Sequence, residues 1–395
     1  MISEEIQDRL IDGLLERVEQ LNAELITEIG KQIKYIGTLT PSQAHKLAQI
    51  LLYGENVNWI ARRLSEVTNL NVREIYQILK KTAIEDQEFA RQFYKARKID
   101  FIPYKKNKML QKEVEAIAKL TANRYKNIMN STAYVMDGKL VPLNKIYTEV
   151  VDKAILSVSQ GKESYQVVMR KTMNELVDAG LRVRVDKNGN PTGTRVVDYK
   201  SGLSRRADTA IRMNTLEGIR TVSNELQRQF GEEYGADGVE ISVHEHPAPD
   251  HEDIQGHQYS NEEFEKLNSE LERPISTLNC YHYIFNIVLG VSKPQYTQDE
   301  LDKIKKENHE GFEYQGKHYT LYEGTQLQRR IETKVRQQKD RQILAKSMGD
   351  LESVGNCQRK ISELMDKYDD LCKKSGLKAK MNRMTVQGYR RMKVS

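Results

Sequence analysis

VEISVHEHPAPDHEDIQG (Val239–Gly256) is a strand signal that runs straight into a histidine cluster, and the reading of the chain turns on it. Apolar residues alternate over Val239–Val243, which predicts a short strand. His244, His246, His251 and His257 follow, and Asn279-Cys280-Tyr281-His282 comes further on. Five of the eight histidines and one of the three cysteines therefore fall between His244 and His282. Residues of these types gather where a metal is held or a proton is moved.

Working outward, Leu181–Tyr199 (LRVRVDKNGNPTGTRVVDY) has two alternating runs around Asn188-Gly189-Asn190-Pro191, the pattern of a hairpin. A long helix is expected from about Ser204 to Gly231. Small elements run on to Tyr322, with a second hairpin predicted at Phe312–Tyr322 around Gln315-Gly316. The rest reads as helix. Ile6, Leu10, Leu14, Val18, Leu21, Leu25 and Ile29 recur every three or four residues, a stripe that needs a packing partner. Thr40-Pro41 opens a second helix as N-cap and first helical position. Further helical segments are expected near 56–68, 71–97, 106–131, 142–158 and 163–178, separated by Gly54, Pro103, Gly138, Pro142 and Gly161. Two terminal helices follow Thr325, with a break at Asp350–Asn356. The expected fold is mainly α with a small α+β module at 181–322. Around the module lie a helical region at 1–103, the candidate contact with the portal or another partner, a second at 104–180, and basic C-terminal helices at 323–395; the N- and C-terminal parts are expected to be elongated.

The chain has 395 residues, 38% hydrophobic and 30% charged, a polar balance that suits long solvated helices. No apolar run approaches the ~20 residues of a membrane span. MISEEIQDRL is acidic and amphipathic and does not read as a secretory signal. Cys280, Cys357 and Cys372 make no disulfide framework, so a reducing cytosol is the expected place of synthesis. From Gln326 to Ser395 there are 18 Lys/Arg against 8 Asp/Glu, a net +10, whereas the residues before it carry 44 against 48, a net −4. A basic tail on a mildly acidic body points to a polyanionic partner or, equally, to a solvated lysine-rich face.

His244, His251, Cys280 and His282 are the candidate metal ligands, because imidazole nitrogen and thiolate sulfur are what Zn²⁺ prefers. Such a site would pin a loop-rich region that has little core of its own. A hydrogen-bonded histidine network without metal is the competing reading, with Cys280 as a small buried hydrophobe. His246 is expected to be exposed, His257 to be a turn residue, and His309 and His318 to lie on the surface. Asp250, Glu252 and Asp253 beside His251 would allow a metal-bound water and a general base. No HExxH, P-loop, GxSxG or dinucleotide fingerprint accompanies them, so no catalytic residue is assigned.

On these residues the chain resembles the phage minor capsid protein 2 family, a branch of the Mu F-like minor head proteins. The family pattern stands here as Ser242-Val243-His244, Pro249-Asp250-His251, Gln255-Gly256, Asn279-Cys280-Tyr281-His282 and Gly290-Val291-Ser292. Arg205–Ile219 resembles the arginine-rich helix that precedes the motif, and the closing segments resemble the family's basic helices, so the likeness runs from about Tyr104 to the end. Two positions depart from it: Ala248 and Tyr281 stand where the family has arginine. The resemblance implies a minor head protein of the phage virion, made in the host cytoplasm and carried inside the head. Its implied partners are the portal protein, packaged DNA through the basic C-terminal helices, and other capsid proteins. The implied role is structural, in head assembly, genome packaging or ejection. Relatives place cysteines where this chain has histidines, which favours a metal. The rival reading is a metal-dependent hydrolase or nuclease carried in the virion.

Overall fold

A computed structural model describes residues 4–36, 43, 55–97, 100–146, 149–150, 152–153, 156, 165–184, 204–271, 273–277 and 280–391. The first helix, α1 (Glu4–Ile36), decides the packing. Leu14, Val18, Leu21, Leu25 and Ile29 of its stripe are buried, with Ile11 and Ile26 beside them. The surfaces that cover them belong to the same chain. α1 lies against α2 (Glu55–Arg97), α5 (Ala207–Tyr234) and the C-terminal helix α8 (Leu321–Met348). The helices at the two ends of the chain therefore pack on each other. One hydrophobic core runs from Ile11 through α2, α3 (Lys108–Asn130), α4 (Tyr165–Ala179) and α5 to Ile343, Leu344 and Val386.

Segments 56–68 and 71–97, read as two helices, are one continuous α2. Asn71 at the expected break is buried, and its amide is fully used. It donates to the Leu14 carbonyl (3.1 Å) and the Tyr125 hydroxyl (2.8 Å), and it accepts from Arg17 Nη1 (2.7 Å). This poor helix former is kept because it ties α1, α2 and α3 together. The proposed helix opening at Thr40-Pro41 lies outside the described residues.

A hairpin absent from the sequence reading follows α3: β1 (Thr132–Met136) pairs antiparallel with β2 (Lys139–Pro142). Asp137 and Gly138 both have positive φ, 50° and 72°, the conformation of a two-residue type I′ turn. β1 also pairs with β3 (Arg182–Arg184), and β3 pairs with β4 (Ser204–Arg206), giving the sheet order β2-β1-β3-β4. The Asn188–Pro191 turn lies outside the described residues. Arg182–Arg184 takes its partner from Ser204–Arg206, past the Leu181–Tyr199 span of the predicted hairpin and at the expected start of the long helix, so α5 begins only after that strand.

The α+β module follows α5. β5 (Gly238–Ile241) is flanked by β6 (Gln258–Ser260) and β7 (Ile284–Ile287), both antiparallel to it. Helices α6 (Asn261–Glu270) and α7 (Gln298–Glu310) start with capping boxes on Ser260 and Thr297. The second predicted hairpin is present as β8 (Phe312–Tyr314) and β9 (Lys317–Tyr319), turning on Gln315-Gly316. Thr320 caps α8, which ends at Gly349 in the left-handed conformation, and Asp350 caps α9 (Leu351–Ser375). The break between the terminal helices is thus two residues, Gly349-Asp350, because these supply a C-cap and an N-cap in succession. α9 folds back on α8 around Val335, Ile361 and Tyr368.

Part of the basic tail is turned inward. Arg341 makes a two-pronged bond to Asp178, Arg336 pairs with Asp208 and Glu19, and Arg383 reaches Asp8 at 3.5 Å. The charge asymmetry between body and tail is therefore partly spent in holding one to the other.

Candidate metal centre

The strand, the loop and the Cys-x-His segment are brought together by backbone bonds. Ser242 continues the β5–β7 ladder: its N–H donates to the Tyr283 carbonyl (2.9 Å) and its Oγ accepts from the Tyr283 N–H (2.8 Å). That register sets His244 beside His282, with ring centroids 4.4 Å apart and the rings edge to face. The loop returns to the strand at Gly256, whose N–H donates to the Ile241 carbonyl at 2.8 Å. Gly256 has φ +74°, and a Cβ there would lie 2.5 Å from Leu301 Cδ2 and 2.9 Å from Val243 Cγ2. Only glycine satisfies both the angle and the space. Its neighbour Gln255 is buried and clamps His244, accepting its N–H (2.8 Å) and donating to its carbonyl (3.2 Å).

Those two backbone bonds fix which end of the Gln255 amide is oxygen, and the assignment propagates. Gln255 Oε1 lies 3.0 Å from His282 Nε2, so Nε2 carries the proton and donates. His251 Nε2 lies 2.6 Å from the Arg273 carbonyl, which can only accept, so it carries a proton too. Both rings then turn Nδ1 toward Cys280 Sγ, at 3.3 Å from His282 and 3.8 Å from His251. Burial lowers the His251 pKa, but the hydrogen bond and charge of Cys280 outweigh this and raise it, so the Cys280 proton is drawn toward His251. A metal cation would replace that shared proton, and imidazoles held through the far nitrogen by carbonyl-type acceptors are the usual support of a metal ligand.

The ligating atoms of His251, Cys280 and His282 all lie within 4.8 Å of one another. Burial, followed by the charges of His244, His251 and Arg220, holds His282 down to about 2, so it is neutral and able to ligate. Burial pushes the Cys280 thiol up, but the hydrogen bond and charge of His251 outweigh this and leave it below its ordinary value. Donor chemistry, protonation and spacing all fit a soft divalent metal. His244, the fourth predicted ligand, is not part of the triad and packs beside it.

The acids beside His251 are engaged elsewhere. Asp250 makes a two-pronged bond to Arg273, the residue whose carbonyl holds His251. Glu252 accepts from Asn308 (2.7 Å) and contacts His309 (2.8 Å), and Asp253 pairs with Lys305 (2.6 Å). These contacts tie the loop to α7. Tyr281, which replaces the family's arginine, accepts from Arg212, lies 3.3 Å from Asp8 of α1, and has the buried Arg220 guanidinium 5.2 Å from its ring centre. The motif is thereby tied to α1 and α5 through a phenol where a guanidinium was expected.

The family model for phage minor capsid protein 2 matches residues 4–373. The chain belongs to the phage minor capsid protein 2 family. The match takes in α1 and α2, beyond the region from Tyr104 on which the motif-based likeness rested. Membership makes this a structural component of a phage virion that associates with other head proteins. No helix among the described residues is long and apolar enough to cross a membrane. No curated protein and no solved structure matches the chain.

Proposed function

We propose that this family member is a minor head protein at the portal vertex, inside the virion, with a structural role in head assembly, genome packaging or ejection. Its motif is a zinc-pinned clasp. Two imidazole Nδ1 atoms directed at one cysteine sulfur, each ring held through its far nitrogen, carry that reading. His251, Cys280 and His282 would hold the ion, and His244 is the nearest further donor. Bound there, the ion would act as a cross-link between the loop and the Cys-x-His return, segments with few buried apolar side chains of their own. The hydrolase reading loses ground because Asp250, Glu252 and Asp253 are each committed to a neighbouring side chain, which leaves His251 without a poised base.

Contact with packaged DNA falls to the tail cations that remain exposed, among them Arg330, Lys334, Arg359, Lys360 and Lys373. Such binding is sequence-independent and falls steeply with salt. Two measurements test the proposal. Metal analysis of the purified chain should find about one zinc per molecule, and mass spectrometry of intact particles should recover the chain with the portal. A fully folded, metal-free protein removes the clasp. Particles in which the chain does not co-purify with the portal remove the location.

A further inference from the structure

The triad opens on a cavity of about 1160 Å³ that no element of the motif explains. Its walls come from the start of α1, β3, β4, the histidine loop, the start of α8 and the segment after α9. Among the described residues, nine of the lining side chains are arginine or lysine and three are carboxylates. Arg206 and Arg273 are paired with Asp208 and Asp250 just outside the lining, and the three lining carboxylates do not balance the other seven. Asp8 is shared between Arg212 and Arg383, Glu245 is 91% exposed, and burial, then Asp8, pushes the Asp12 carboxyl up toward its neutral form.

Two guanidiniums show the imbalance most clearly. Arg329, half-buried on the first turns of α8, makes no ion pair among the described residues. Burial depresses its pKa, and the like charge of Arg383 depresses it further. Arg205 donates to the Met213 thioether at 3.0 Å, a neutral and weak acceptor. Sheltering guanidiniums from water without counter-charge costs stability, and folding gains nothing visible from it here. A recess lined by one sign of charge concentrates counter-ions. Lys378 and Lys380, which were counted in the basic tail, also face this recess.

We propose that this cavity is a phosphate-binding site, taking a phosphodiester or polyphosphate anion against Arg205, Arg329, Lys378 and Lys380. Phosphate is the class that matches several forked donors at once, because each group offers multiple acceptor oxygens. The volume exceeds the ~300–1,000 Å³ of ordinary small-molecule pockets, so more than one phosphate fits. Small phosphate anions and strand ends are assigned to this recess, and duplex DNA is left to the exposed helix surface named above.

The test uses the full chain and three probes: inorganic pyrophosphate, a short single-stranded oligodeoxynucleotide and a duplex of equal length. Arg329→Gln should weaken pyrophosphate and single-strand binding by about tenfold or more, the scale of one lost charge-assisted hydrogen bond. Lys119→Gln, exposed on α3 and outside both the cavity and the basic tail, removes the same charge and should change either by no more than about twofold. Duplex binding should not distinguish the two variants. Should Arg329→Gln fail to fold, Lys378→Gln at the exposed rim replaces it. If pyrophosphate displaces the oligonucleotide, the site takes free phosphate anions. If the strand alone binds and Arg329→Gln weakens it, the site takes nucleic-acid ends. No binding of either probe at low salt, or equal losses in Arg329→Gln and Lys119→Gln, overturns the proposal.

Discussion

Gln255 Oε1 sits 3.0 Å from His282 Nε2, and this contact decides which ring nitrogen faces Cys280. The same amide is bonded to both the N–H and the carbonyl of His244, so it cannot turn over. Gln255→Ala removes the acceptor that holds the tautomer and leaves the His244 backbone unsatisfied. Metal affinity should fall about 10- to 100-fold, the scale of losing such a supporting partner. Competition with a chelator, followed by metal analysis, measures it. An unchanged affinity would mean that the rings are oriented by packing alone.

The histidines marked the candidate site, because residue type and clustering point to ligation without any coordinates, and three of the four donors lie together in a group that could hold a metal. What they could not give was selection among four donors. That depends on the register of Ser242 against Tyr283 and on the turn that brings Gly256 back to Ile241, both set by long-range bonds. Gln255 and Gly256 were visible as a motif, but their roles were not, since a clamp is defined by what it closes on. The cavity was hidden for the same reason: Arg205, Arg329 and Lys378 are far apart in sequence. The β1–β2 hairpin, by contrast, was legible in principle. Asp137-Gly138 between apolar runs is a strong turn signal, overlooked because helical periodicity surrounds it on both sides.

Gly256→Ala puts a methyl group against Leu301 and Val243 at a residue with φ +74°. The expected cost is ~1–3 kcal/mol from strain at the left-handed backbone alone, seen as a lower Tm. Because the loop return at Gly256 also seats Gln255, metal affinity should drop alongside stability. A Tm within a degree or so of the parent would show that the loop relaxes freely.

The burial of the α1 stripe changes what removing the N-terminus should do. Leu21 is fully buried in a core shared with α2, α5 and α8. Leu21→Ala should cost ~2–5 kcal/mol. A variant lacking residues 1–100 should lose cooperative unfolding, since the faces of α5 and α8 that α1 and α2 cover would meet water. Partner contact through the N-terminal region would then have to use its outer surface, where Leu70, Tyr76 and Phe89 of α2 are exposed. Thermal denaturation checks both variants. A truncated chain that melts in one sharp transition at the parental Tm would show that the core does not need α1.

Asp340 gives the last test, through pH. It is buried between α1 and α8, with its carboxylate facing Arg206, Arg336, Asp208 and Glu19 and 3.5 Å from Asn22 Nδ2. Burial pushes it up from 3.8 to about 7, with Asp208 adding to the rise while Arg206 and Arg336 oppose it; burial likewise takes Glu19 to about 8. Between the ordinary and the raised value the folded chain binds more protons than the unfolded one, so stability falls as pH rises through that window. Asp208 works in the opposite direction. Burial pushes its carboxyl up, but Arg206 and Arg336 override this and hold it low, so its contribution is present above its ordinary value near 3.8 and lost only in acid. Asp340→Asn keeps an oxygen for Asn22 and removes the charge. Relative to the parent, it should raise the Tm at about pH 8 and change it little at about pH 5, where Asp340 is already protonated. Equal effects at both values, or destabilisation at about pH 8, would mean that the arginines keep Asp340 ionised throughout.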